Sequence, residues 1–78
     1  MDHTKLTQSL EDYLEMVHML RLANGLARVK DIAAALGVKM PSVAKAMVEL
    51  KKMGLVRQEP YSGVELTEEG KKVAVTIL

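Results

Sequence analysis

The segment Gly37-Val38-Lys39-Met40-Pro41 restricts the fold of this chain more than any other. Upstream of it, Ile32, Ala33 and Leu36 recur at helical spacing and stop at Gly37. Downstream, Val43, Ala46, Met47, Leu50 and Met53 recur at the same spacing. One continuous helix through both is excluded. Pro41 would lack the N–H its turn requires, and its ring would clash with the carbonyl one turn back. Placed in a first turn, the same proline costs nothing, and a glycine just past a helix end takes the left-handed conformation that closes it. The pattern therefore predicts two short helices, over 30–36 and 41–53, joined by a tight turn. That is the helix-turn-helix arrangement.

The flanks extend this frame. Leu10, Tyr13, Leu14, Val17 and Leu20 form a helical stripe, with Met16 and Met19 beside it, and predict a helix over 8–23. Ser9 is expected to cap it, with Asp12 completing a capping box, and Asn24-Gly25 to end it. A short extended piece, 26–29, leads into the second helix. After Met53-Gly54 the period changes. Leu55–Glu59 and Val64–Thr67 read as strands around a Pro60-Tyr61-Ser62-Gly63 turn, which makes a hairpin. Thr67 then caps a last helix with Glu68 and Glu69 in its first turn. The expected fold class is α+β, mostly α: a winged helix-turn-helix with a three-helix bundle, a two-stranded wing and a C-terminal helix, one domain over 1–78.

Composition narrows the function. With 78 residues and no Cys, disulfides, thiolate zinc sites and cysteine nucleophiles are excluded. There is no Ser-His-acid constellation and no Gly-rich phosphate loop, and the chain is too small to bury a pocket, so no enzyme is expected. There is neither a long apolar run nor a hydrophobic leader core in the sequence, so the expected location is cytoplasmic, away from membranes. Two Tyr are the only aromatics, and six Met help to fill the core. Net charge is only +1, but its distribution is uneven. Acids gather early (Asp2, Glu11, Asp12, Glu15) and late (Glu59, Glu65, Glu68, Glu69), whereas Arg28, Lys30, Lys39, Lys45, Lys51, Lys52 and Arg57 dominate the middle.

A helix fits the major groove, and the N-terminal part of the second helix of such a pair reads the bases. The expected reading positions are Lys39, Pro41, Ser42 and Lys45. Ser42 can bond a base edge or a phosphate, Lys45 can reach guanine acceptors or the backbone, and Pro41 with Met40 can touch thymine methyls. Arg28 and Lys30 suit flanking phosphates, and the wing tip, Tyr61 and Ser62, an adjacent backbone. The partner is then double-stranded DNA. The alternative is a winged-helix protein-interaction module without a DNA role, because fold does not dictate function.

Taken together, LTQSLEDYLEMVHML, ARVKDIAAALGV, PSVAKAMVELKKMGLV and EPYSGVELTEEGKKVA resemble the N-terminal domain of the diphtheria toxin repressor and manganese transport regulator family, which are metal-dependent transcriptional repressors. The resemblance runs from Leu6 to Ala74. It implies a three-helix bundle with a wing, and DNA reading through Lys39, Pro41, Ser42 and Lys45. Where the family often has a basic residue after the wing Tyr, this chain has Ser62, implying a weaker phosphate grip. The manganese-type branch draws metal ligands from an Asp and a Glu in the first helix, which match Asp12 and Glu15. The implied cofactor is a divalent metal, manganese or ferrous iron. In the family the remaining ligands and the dimer contacts come from later helices, so only half a site is implied here. His18, one turn after Glu15, is a further candidate ligand. A homodimer is expected, paired through the first helix and the apolar end of the last one (Val73, Val75, Ile77, Leu78).

Overall fold

The structure is a computed structural model that describes residues 6–59 and 63–77. The elements run α1 (Gln8–Asn24), α2 (Val29–Leu36), α3 (Met40–Lys52), β1 (Val56–Glu59), β2 (Gly63–Leu66) and α4 (Glu68–Ile77). The mostly helical winged arrangement expected from the sequence is present.

The core follows the apolar stripes. Leu14 and Val17 of α1, Ile32 of α2 and Val43, Met47 and Leu50 of α3 are fully buried in one cluster with Val64 of β2. Each such aliphatic side chain contributes about 1.5–3 kcal/mol relative to exposure. Helix α1 is the hub, touching α2, α3, α4 and β2. Leu10, Tyr13, Met16 and Leu20 seal its edges, while Met19 turns outward.

The start of α1 differs from the expectation. Thr7, not Ser9, is the N-cap: its backbone is extended and its Oγ1 accepts the Leu10 N–H at 3.2 Å. Ser9 lies inside the first turn, and Asp12 accepts from Gln8 Nε2 at 3.1 Å instead of completing a capping box. Both hydroxyl residues are competent caps. Thr7 takes the role because Leu6, just before it, and Leu10, inside the first turn, both pack against the core.

Between α2 and α3 the chain turns at Gly37, whose φ of 69° lies in the left-handed region. The Val38 N–H donates to Ala33 O at 3.0 Å and closes α2. At the other end of α3, the Leu55 N–H donates to Leu50 O at 3.0 Å.

The wing is antiparallel, with Val56 opposite Leu66 and Glu59 opposite Gly63. The expected turn residues Pro60, Tyr61 and Ser62 lie outside the described residues. The piece before α2 does more than lead in. Ala27 bridges Gly63 in parallel fashion, and the Val64 N–H donates to Ala27 O at 2.7 Å, so this piece extends the wing sheet by one bridge. Thr67 holds the base of the hairpin. Its Oγ1 accepts the Gly70 N–H at 3.0 Å, capping α4, and donates to Gly54 O at 2.7 Å. Its N–H donates to Leu55 O at 3.0 Å. Among the described residues, no helix is long and apolar enough to cross a membrane.

Candidate nucleic-acid interface

Helix α3 begins in a way that favours an anion. Lys39 is its N-cap residue, with extended backbone and no side-chain hydrogen bond to the helix end, and no acid lies in the first turn. Ser42 and Val43 N–H groups both point back to Lys39 O, at 3.0 and 3.3 Å. Lys39, Met40, Pro41 and Ser42 are all exposed. The positive end of the helix dipole is therefore left open to solvent beside a lysine.

Burial of Val43, Ala46, Met47 and Leu50 fixes which side of α3 faces out. Helical periodicity puts Pro41, Lys45, Val48 and Lys52 along the opposite stripe, and all four are exposed. Ser42 and Glu49 occupy the shoulder nearer α1. Together with Thr7, Ser9, Leu10 and Tyr13, they line a shallow groove of about 390 Å³ that Lys45 also borders. The start of α1 thus adjoins the outer face of α3. Sequence reasoning missed this neighbourhood, because it depends on how α1 crosses α3 and no local spacing records it.

Arg28 is the N-cap residue of α2, again without a side-chain cap bond, and both it and Lys30 are exposed. Among the described residues, none of Arg28, Lys30, Lys39 and Lys45 is paired with a carboxylate; the ion pairs are Arg57 with Glu59 and Glu65, and Lys72 with Glu69. These four cations stand on the helix-turn-helix with their charge uncompensated. Tyr61 and Ser62, expected at the wing tip, lie outside the described residues.

The expected metal ligands are not gathered into a complete site. Asp12 is exposed and engaged by Gln8, and Glu15 lies one turn on along α1. His18 borders a different depression, between α1 and α4, with Arg21, Leu22, Leu66, Lys71 and Val75. Among the described residues, no group of three or more His, Asp or Glu side chains is placed to hold a metal ion. Two carboxylates fall short of the oxygen-rich shell that a hard divalent cation demands, so the residues present do not by themselves fit a tight site.

Comparison with known proteins bears on this surface. The sequence model of the family described as "Iron dependent repressor, N-terminal DNA binding domain" matches residues 5–64. The transcriptional regulator MntR of Escherichia coli O6:H1 is 46% identical over 65 residues, covering 83% of this chain and 42% of that protein. The HTH-type transcriptional regulator MntR of Bacillus subtilis strain 168 is 46% identical over 67 residues, covering 86% of this chain and 47% of that protein. The chain therefore spans less than half the length of these curated relatives. The crystal structure of IdeR from T. acidophilum matches with a TM-score of 0.77 at 30% identity, over 90% of this chain and 32% of that one.

Proposed function

Since this chain belongs to the iron dependent repressor N-terminal DNA-binding domain family, we propose that it is a sequence-specific, double-stranded DNA-binding domain of a transcriptional repressor, with α3 in the major groove. One observation carries the reading: the acid-free, uncapped start of α3 lies exposed beside unpaired Lys39 and Lys45. In this reading Lys39 and the positive end of the α3 dipole take a phosphate, and Ser42 and Lys45 reach base edges. Pro41 sets the first turn and touches thymine methyls. Arg28 and Lys30 grip the phosphates flanking the groove, and Tyr61 and Ser62 lie along the neighbouring backbone. The relatives it matches are named as transcriptional regulators, a class without catalysis, and the cytoplasm is the matching location.

The test is duplex binding after selection of a preferred site from random DNA. Ser42→Ala combined with Lys45→Ala is expected to abolish preference for that site while leaving weak, salt-sensitive binding to other duplexes. A bidentate base contact discriminates by about 1–3 kcal/mol, so the preference should fall at least about five-fold. Absence of duplex binding at low salt, or a preference untouched by the double change, overturns the reading.

Two further elements belong to it. The protein acts as a homodimer on two half-sites, as two-fold operators require. Leu22 and Val75, 73% and 62% exposed beside the α1–α4 depression, support pairing there; the side chains of Ile77 and Leu78 lie outside the described residues. Asp12 and Glu15 contribute to a manganese or ferrous site only with ligands from elsewhere. Manganese titrated into this chain alone is accordingly expected to leave its duplex affinity unchanged. A metal-dependent gain that Asp12→Ala removes would show that the ligands within the chain suffice.

A further inference from the structure

The exposed side of α3 carries an apolar ridge as well as its lysines. Met40, Ala44 and Val48 follow one another at intervals of four, so they form one continuous row along the helix. All three are exposed, Met40 by 51% and Val48 by 46%. The row lies on the shoulder away from Ser42 and Glu49, and Lys45 and Lys52 run beside it on the outward stripe. Val48 is the member that local structure explains least. A β-branched side chain is a weaker helix former than the alanine, lysine or glutamate that suits an exposed helix site. Packing does not compensate, because Val48 neither belongs to the hydrophobic core nor packs against it.

We propose that Val48 is a specificity-determining residue that reads a thymine by its 5-methyl group, at the far end of the Met40–Ala44–Val48 ridge. This rests on the DNA-binding reading above. The thymine methyl is the one apolar group that a base pair shows in the major groove. The ammonium of Lys45 and the hydroxyl of Ser42 select polar base edges and are blind to it. A branched aliphatic side chain gains by taking that methyl out of water, and gains nothing where the methyl is missing. The surroundings of the ridge fix this occupant. Lys45, Lys51 and Lys52 are exposed along its flank, and among the described residues none of them is paired with a carboxylate. An apolar row edged by unpaired cations matches the floor of a major groove, where base edges lie between two lines of phosphate. Val48 stands eight residues beyond Met40, about 12 Å along the helix axis. The thymine it reads is therefore a different one from any that Met40 or Pro41 touches, and the recognised sequence extends past the first turn of α3.

The test uses the duplex selected from random DNA, with each thymine replaced in turn by deoxyuridine, which keeps the pairing and removes only the methyl. Affinities of the natural chain and of Val48→Ala are read by fluorescence anisotropy at several salt concentrations. At one thymine the natural chain is expected to bind the deoxyuridine duplex about four-fold more weakly, the loss that goes with one buried methyl. Val48→Ala is expected to bind the unmodified duplex more weakly by a similar factor and to be indifferent to the replacement at that thymine, while staying sensitive at any thymine read from the first turn. No charge is removed, so the log–log slope against salt is expected to stay the same. Val48 is exposed, so the thermal midpoint is expected to hold as well. A Val48→Ala chain that binds the selected duplex as tightly as the natural one overturns the proposal and leaves the ridge to a contact between proteins. So does a Val48→Ala chain that keeps its sensitivity at every thymine, or a natural chain that is sensitive at none. A changed slope, or a lowered midpoint with equal loss on every duplex, also overturns it, because the effect is then general. If the natural chain binds no duplex at low salt, the DNA reading itself falls, and this proposal with it.

Discussion

Gly70→Ala is expected to destabilise the chain by more than about 3 kcal/mol, against a total stability of roughly 4–12 kcal/mol for a domain of this size. In an ordinary helix the same change stabilises by about 0.5–1 kcal/mol, so even the sign is diagnostic. Gly70 is buried in the first turn of α4. A Cβ built there overlaps the Leu55 carbonyl oxygen and lies 2.9 Å from its carbon and 3.4 Å from its Cα. All three are backbone atoms and cannot rotate aside. Nor can α4 slide away, because Thr67, which caps its first turn by accepting the Gly70 N–H, is tied to Gly54 and Leu55 through two hydrogen bonds. Thermal unfolding followed by circular dichroism reads the result. At about 4–8 °C per kcal/mol, the midpoint should fall by more than about 12 °C. An unchanged or raised midpoint would mean that α4 does not dock against Leu55.

Gly63→Ala is expected to be the next most damaging change, at about 2–4 kcal/mol, and to act on the wing before the helices. Gly63 has φ of 77°, where an L-residue with a Cβ is strained by about 1–2 kcal/mol. Its absent Cβ is also where the Ala27 carbonyl oxygen sits, with Ala27 C at 3.1 Å and Arg28 Cα at 3.5 Å. Relief requires the Ala27–Arg28 backbone to move off, which breaks the Val64 N–H bond to Ala27 O and adds about 1 kcal/mol. Amide hydrogen exchange separates this local effect from global loss. Val64 should lose protection strongly while Met47 and Leu50 in α3 lose it only in proportion to the overall change. Equal loss at all three would show that wing and bundle open together. The displaced segment carries Arg28, so duplex affinity should fall as well.

The two glycines mark where sequence reasoning stops. Gly37 and Pro41 announce the helix-turn-helix because both act on their own backbone, and the inner face of α3 follows from period alone: Val43, Ala46, Met47 and Leu50 are all buried. Thr67 was legible as a cap for the same local reason. Gly70 was not legible, because a glycine inside a helix reads as a mild penalty and its partner, Leu55, is brought to it by the hairpin. Ala27 gave no alternating pattern, so its bridge to Gly63 was invisible. The choice of Thr7 over Ser9 turned on packing of Leu6 and Leu10, not on capping preference. At the interface, Lys39, Pro41, Ser42 and Lys45 were placed by position in the motif. The approach of Ser9 to that face, and the hold of Glu59 and Glu65 on Arg57, depend on helix crossing and strand register.

The tie between Thr67 and the Gly54–Leu55 segment has a consequence for variation in this fold. It closes the hairpin at its base, so the path from β1 to β2 begins and ends at one fixed point on the bundle. Insertions between Glu59 and Gly63 then lengthen a loop that is already closed, and each doubling of such a loop costs only about 0.6 kcal/mol. The tip can be lengthened, shortened or recharged while the reading helix keeps its place. The reach of the wing along a duplex is therefore free to diverge, independently of what α3 recognises.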